Sequence, residues 1–143
     1  MNAFGVLELS GSAMGAERLR AEVVASNMAN AETTRTPEGG PYRRQLIVFR
    51  AQRLQPFPMM LAGLQAAARG VRVDRVVADP AAPLLRYEPG HPDADARGYV
   101  AYPAINPVEE MADLLSAARS YQLNAAAVQS AKSMIQQALD ILR

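Results

Sequence analysis

A chain of 143 residues with a formal net charge of +1 is sized for one ordinary domain, with half its residues apolar and a fifth charged. It contains no Cys, which removes disulfides, thiolate zinc sites and thiol nucleophiles, and its balanced charge speaks against a general nucleic-acid binder. No apolar run approaches the ~20 residues a bilayer-spanning helix needs, so no direct membrane insertion is expected, and Met1 to Gly11, with no basic start and with Glu8 inside it, does not read as a Sec signal peptide.

The prolines divide the chain. All 10 lie between Pro37 and Pro107, and proline is excluded from helix interiors by its missing donor and its ring clash. The pattern predicts a mainly α fold with a small β module. Residues 1–36 form an N-terminal helix and turn, residues 37–106 a β-rich middle, and residues 107–143 a C-terminal helix.

The first segment carries two apolar stripes at helical spacing. Phe4, Leu7, Gly11, Met14, Ala21, Ala25 and Met28 form one, with Arg18 intruding. Val6, Leu9, Ala13, Ala16, Leu19 and Val23 form the other. One partner helix covers one stripe, so the second points to an interface, with packing on the middle module as the internal alternative. Ser26, Asn27, Asn30, Thr33 and Thr34 follow. Such residues bond their own backbone, which suits the end of a helix and the turn after it.

The middle predicts short antiparallel strands at Gln45–Arg50, Gly70–Ala78, Leu84–Tyr87 and Gly98–Ala101, each bounded by Pro, Gly or Asp. Ala62–Arg69 reads as a short helix or a loop tip. The C-terminal segment opens on a strong start signal, with Asn106 as N-cap, Pro107 at the first helical position and Glu109 where a capping box places it. Met111, Leu114, Ala118, Tyr121, Ala125, Val128, Lys132, Ile135, Leu139 and Leu142 then recur three and four apart. That seam predicts coiled-coil packing of the two terminal helices. Lys132, the sole lysine, is a polar residue of the kind that sets register in such a seam.

The chemistry-bearing residues are sparse. His91, the only histidine, alternates with Asp93 and Asp95, so an extended segment would place all three on one face, able to hold a divalent metal or pair a base with an acid. A small metal-dependent hydrolase or binding module is therefore the alternative reading. Against it, Pro89 and Pro92 favour a turn whose aspartates bond neighbouring backbone. Tyr42, Arg43 and Arg44 could grip an anion or form a solvated strand edge. No nucleophile elbow, phosphate loop or HExxH motif occurs, and no cofactor is implied.

The combination of motifs resembles a known family. Ala25-Ser26-Asn27-Met28-Ala29-Asn30-Ala31 with Thr33-Thr34 is similar to the segment ending the first helix of bacterial flagellar axial proteins, the rod and hook proteins. Gly39-Gly40-Pro41-Tyr42-Arg43-Arg44-Gln45, then Pro89-Gly90-His91-Pro92-Asp93-Ala94-Asp95 with Gly98-Tyr99-Val100, then Glu109-Glu110-Met111 with Ala118-Arg119-Ser120-Tyr121-Gln122 and Asn124, resemble the proximal-rod branch of that family. The resemblance implies a non-enzymatic structural subunit of the flagellar basal-body rod, which transmits torque from the membrane ring to the hook. It implies terminal helices that line an axial tube and export through the flagellar type III apparatus without a Sec signal. The implied neighbours are further copies of the chain, rod proteins of the B, F and G types, and the adaptor FliE. One departure is Ala104, where the family usually carries Asn in the run before the second helix.

Overall fold

The computed structural model describes residues 3–53 and 69–141. Two long helices, α1 (Ala3–Ala29) and α2 (Pro107–Ile141), enclose a middle of four strands, β1 (Gln45–Arg53), β2 (Arg69–Ala78), β3 (Leu84–Tyr87) and β4 (Tyr99–Tyr102). The fold is mainly helical with a small β module. All four strands lie where β-forming residues and flanking turn residues place them. Ala62–Arg69 lies outside the described residues, apart from Arg69, which opens β2.

The strands do not share one sheet. β1 pairs with β2, and β3 with β4, as two separate antiparallel ribbons. In the first ribbon Val48 faces Arg75 and Phe49 faces Val73, so Asp74 is left over as a bulge. The bulge sets the Asp74 carboxylate 3.0 Å from the Arg50 guanidinium and 3.5 Å from that of Arg75, relieving a row of arginines.

This ribbon lies along α1. Val71 donates its N–H to the Ser12 hydroxyl at 3.2 Å, and Gln45 docks on Asn27 further down the helix. α1 is thus contacted from two sides, by α2 and by the β1–β2 ribbon. The middle module supplies the internal packing that is the alternative reading of the second stripe, while Phe4, Gly11 and Ala25 of the first stripe stay exposed.

α2 starts as its sequence dictates. The Asn106 side chain accepts from the Val108 N–H at 3.1 Å. Glu109 reaches back, but it accepts from the Asn106 side-chain amide at 3.1 Å, a variation on the capping box. With 35 residues at 1.5 Å rise, α2 is about 52 Å long. The buried apolar residues of the two helices are small, Ala16, Val23 and Val24 on α1, which meets both α2 and the ribbon, and Ala117 and Ala131 on α2. Alanine at these points lets the backbones approach closely.

Candidate functional site

One buried junction ties α1, β1 and α2 together. Asn27, on the last turns of α1, is 1% exposed and uses its whole amide. Its Nδ2 donates to the Gln45 carbonyl at 2.9 Å and to Glu110 Oε2 at 3.1 Å. Its Oδ1 accepts from the Gln45 N–H at 2.8 Å and from the Tyr42 hydroxyl at 3.2 Å. Glu110, equally buried, accepts at Oε1 from Arg44 Nε at 2.6 Å. Arg44 also lies 3.8 Å from Asp113. A charge removed from water is tolerated only when it is paired and hydrogen-bonded, and Glu110 is both. Arg44 therefore turns inward and is no solvated strand edge, while Arg43 beside it is exposed.

The turn after α1 is built by its own side chains. Asn30 donates to the Ser26 carbonyl at 2.9 Å and accepts from the Thr33 hydroxyl at 3.1 Å. Tyr42 N–H bonds the Thr33 carbonyl at 3.0 Å, closing the segment back on itself. Gly39 and Gly40, with φ of 90° and 74°, supply the left-handed residues that the turn before Pro41 requires.

Residues 88–98 form consecutive turns, not the extended segment that would align His91, Asp93 and Asp95. His91 Nδ1 accepts from the Asp93 N–H at 3.1 Å. The Asp93 carboxylate accepts from the Thr34 hydroxyl at 2.8 Å and faces Arg35 at 3.7 Å. Asp95 Oδ1 accepts from the N–H groups of Arg97 and Tyr99 at 2.8 and 2.9 Å. Each side chain has a separate structural partner. Among the described residues no three His, Asp or Glu groups converge as a metal would need. Pro89, Gly90 and Pro92 shape the turns, and Gly98 (φ 81°) brings the chain back under Tyr87 so that β4 can start at Tyr99. An open groove of about 470 Å³ lies beside Pro37, Tyr42 and Val76, with Glu38 and Arg43 as its charged residues. It offers no acid–base pair with a positioned nucleophile.

The seam residues divide between two surroundings. Leu114, Ala125, Val128 and Ile135 are half-buried, as are Leu7, Met14 and Met28 on α1. Met111, Ala118, Tyr121, Lys132 and Leu139 are exposed, and so is Phe4. Lys132 thus sets no register within the chain. Leu142 lies outside the described residues. The exposed face of α2 also carries Val108, Leu115, Leu123, Met134 and Ile141.

The flagellar basal-body rod protein FlgC of Borreliella burgdorferi is 40% identical to this chain over 151 aligned residues, which cover 100% of the chain and 99% of that protein. The FlgC of Bacillus subtilis is 40% identical, covering 99% of each chain. The chain belongs to the FlgC family. A Salmonella typhimurium FlgC, 38% identical over 99% of the chain and 98% of its own length, agrees. Residues 7–35 match the family model described as flagella basal body rod protein, and residues 96–141 match that of the flagellar basal body rod FlgEFG protein C-terminal. These two FlgC segments hold both helices' halves of the junction, Asn27 and Glu110, while Arg44 comes from the stretch between. No described helix is long and apolar enough to cross a membrane.

Proposed function

We infer that this FlgC-family chain is a structural, non-enzymatic subunit of the flagellar basal-body rod. The observation that carries the reading is the set of large apolar side chains that α2 leaves exposed, Val108, Met111, Leu115, Leu123, Met134, Leu139 and Ile141 among them, in a chain aligned end to end with basal-body rod proteins. Exposed apolar surface on that scale marks a surface built to be covered.

Met111, Ala118, Tyr121, Leu139 and their neighbours pack as a coiled coil against helices of adjacent subunits. Residues 1–36 and 107–143 form the axial core, and residues 37–106 decorate it. The adjacent subunits are further copies, rod proteins of the B, F and G types and, at the base, the adaptor FliE. The chain reaches them through the flagellar type III export apparatus. Torque from ring to hook passes through many shallow helix contacts, each held by apolar burial at about 25 cal/mol per Å². The metal-hydrolase alternative has no observation in its favour.

The test is a clean, complemented deletion, scored for filaments and for rods in isolated basal bodies. Rings without rod or filament are expected. Leu139→Asp, at an exposed position, should give the same phenotype from a folded, soluble chain. Normal rods in the deletion strain would sink the reading, and normal rods with Leu139→Asp would remove Leu139 from the packing surface.

A further inference from the structure

The β1–β2 ribbon sets like charges against each other. Arg50 faces Arg72, and Arg53 faces Arg69, at directly opposed positions of the register. Like charges placed opposite one another destabilise a ribbon. Keeping a strand edge from pairing needs charge, but not charge set against like charge.

The bulge adds a third arginine to the first of these pairs. Arg75 Nη1 lies 3.5 Å from Asp74 Oδ2, the same oxygen that sits 3.0 Å from Arg50 Nη2. The side chains of Arg50 and Arg75 are 58% and 64% exposed, and Arg72 is exposed beside them. Among the described residues, Asp74 is the only acid that pairs with these arginines. One carboxylate therefore serves two guanidiniums, and Arg72 is left to solvent. The imbalance is larger over the whole ribbon. Its strands carry Arg50, Arg53, Arg69, Arg72 and Arg75 against Asp74 alone, a net +4 in a chain whose total is +1, so the rest of the chain is net −3.

We propose that the face of the ribbon carrying Arg50, Arg72 and Arg75 binds a short acidic segment of another protein. Its carboxylates would stand roughly 5 Å apart, the spacing of opposed side chains across a ribbon. The inference does not rest on the rod reading, because it concerns a surface away from the exposed side of α2 and its test needs no rod.

Asp74 shows the chemistry on a small scale. A carboxylate already bridges two guanidiniums of the cluster, and a guanidinium fork matches a carboxylate in shape as well as in charge. The charge distribution sets the size of the partner. An extended polyanion, such as a nucleic acid or an anionic membrane, would also meet the net negative remainder of the chain and be repelled by it. A short acidic segment meets the ribbon alone. The cost of opposing Arg50 to Arg72 is then recovered when a carboxylate settles between them.

The test is fluorescence anisotropy of a labelled hexaglutamate peptide titrated with the purified full chain at low salt. Arg72→Glu should weaken binding about tenfold, and Asp74→Asn, which releases two guanidiniums, should tighten it about threefold. Arg119→Glu, at an exposed position of α2, gives the same net charge as Arg72→Glu and should leave binding unchanged. Arg72→Glu also replaces a repulsive pair with an attractive one, so its urea midpoint should be no lower than that of the parent chain. Arg50→Gln is the second variant and should weaken binding without adding an acid. Absent binding, equal losses from Arg72→Glu and Arg119→Glu, or a drop in stability with Arg72→Glu would overturn the inference. Tighter binding of phosphatidylglycerol vesicles or of a single-stranded oligonucleotide through the same arginines would overturn it too, by giving the face to another class of partner.

Discussion

Replacing Asn27 by Ala should be among the most destabilising single substitutions in the protein. The side chain is 1% exposed and makes four hydrogen bonds, three to neutral groups and one to the Glu110 carboxylate. At about 1 kcal/mol for each neutral bond and about 2 kcal/mol for the charged one, the sum approaches 5 kcal/mol. Two of the abandoned groups keep other company, since Glu110 retains Arg44 at 2.6 Å and Tyr42 retains Ser26 at 3.4 Å. The expected loss is therefore about 3–4 kcal/mol, a large share of the ~5–15 kcal/mol that holds a domain folded. Asn27→Asp keeps the shape but turns a second oxygen toward the Glu110 carboxylate, so it should cost at least as much near neutral pH. Ser26→Ala, which removes only the long contact to Tyr42, is the control and should cost under about 0.5 kcal/mol. Urea unfolding of the purified chain, followed by circular dichroism, reads all three. A loss from Asn27→Ala no greater than that from Ser26→Ala would refute the assignment of Asn27 as the tie between α1, β1 and α2.

Gly98→Ala should cost about 1–3 kcal/mol, because it strains a φ of 81° and sets a Cβ 2.9 Å from the Tyr87 ring; an unchanged urea midpoint would contradict this. The Tyr102 phenol is pushed above its ordinary value of 10.0, first by its hydrogen bond to Glu88, then by burial and the Glu88 charge, with Arg86 opposing. Since the folded chain holds that proton more tightly, the stability it contributes is present below pH 10 and is lost as pH rises through the raised value. Ultraviolet titration should show Tyr102 ionising later than in the unfolded chain, and Glu88→Gln should bring it back toward ordinary behaviour. His91→Ala should cost about 1 kcal/mol through the lost acceptor for Asp93, with no response of the melting temperature to chelators or divalent metals; a metal-dependent shift would revive the hydrolase reading.

The strands were legible because each condition for them is local. Val, Ile, Phe and Tyr runs are bounded by Pro, Gly or Asp, and the start of α2 is written in Asn106, Pro107 and Glu109. The inward faces of the helices were harder to read. Large apolar residues dominate a heptad search, yet the buried apolar positions of α2 are Ala117 and Ala131, which lie beside that seam. Their value comes from letting α1 approach closely, which depends on the partner helix. Asn27 was legible as part of a helix-ending segment, but not as a buried hub. One of its partners, Glu110, lies 83 positions away, and nothing local to Asn27 announces it. Glu110 likewise carries a plausible local role, an acid near the positive end of a helix, that conceals its burial. Arg44 reads as surface charge until the carboxylate it meets is known.

The junction also sets the order in which the molecule can be completed. Its bonds join residues 18, 66 and 83 positions apart, so it has no nearest-neighbour nucleus. A chain emerging N-terminus first can form the α1 backbone early, but Asn27 can satisfy its amide fully only when residue 110 has arrived. Closing this long loop carries an entropy cost that must be met before the long-range contacts repay it. Substitutions at Asn27, Arg44 or Glu110 should therefore act on the folding rate as well as on equilibrium stability. A chain cut short before Glu110 would still dock its first helix on the β1–β2 ribbon but would leave the side of that helix that meets α2 uncovered and Arg44 without its carboxylate.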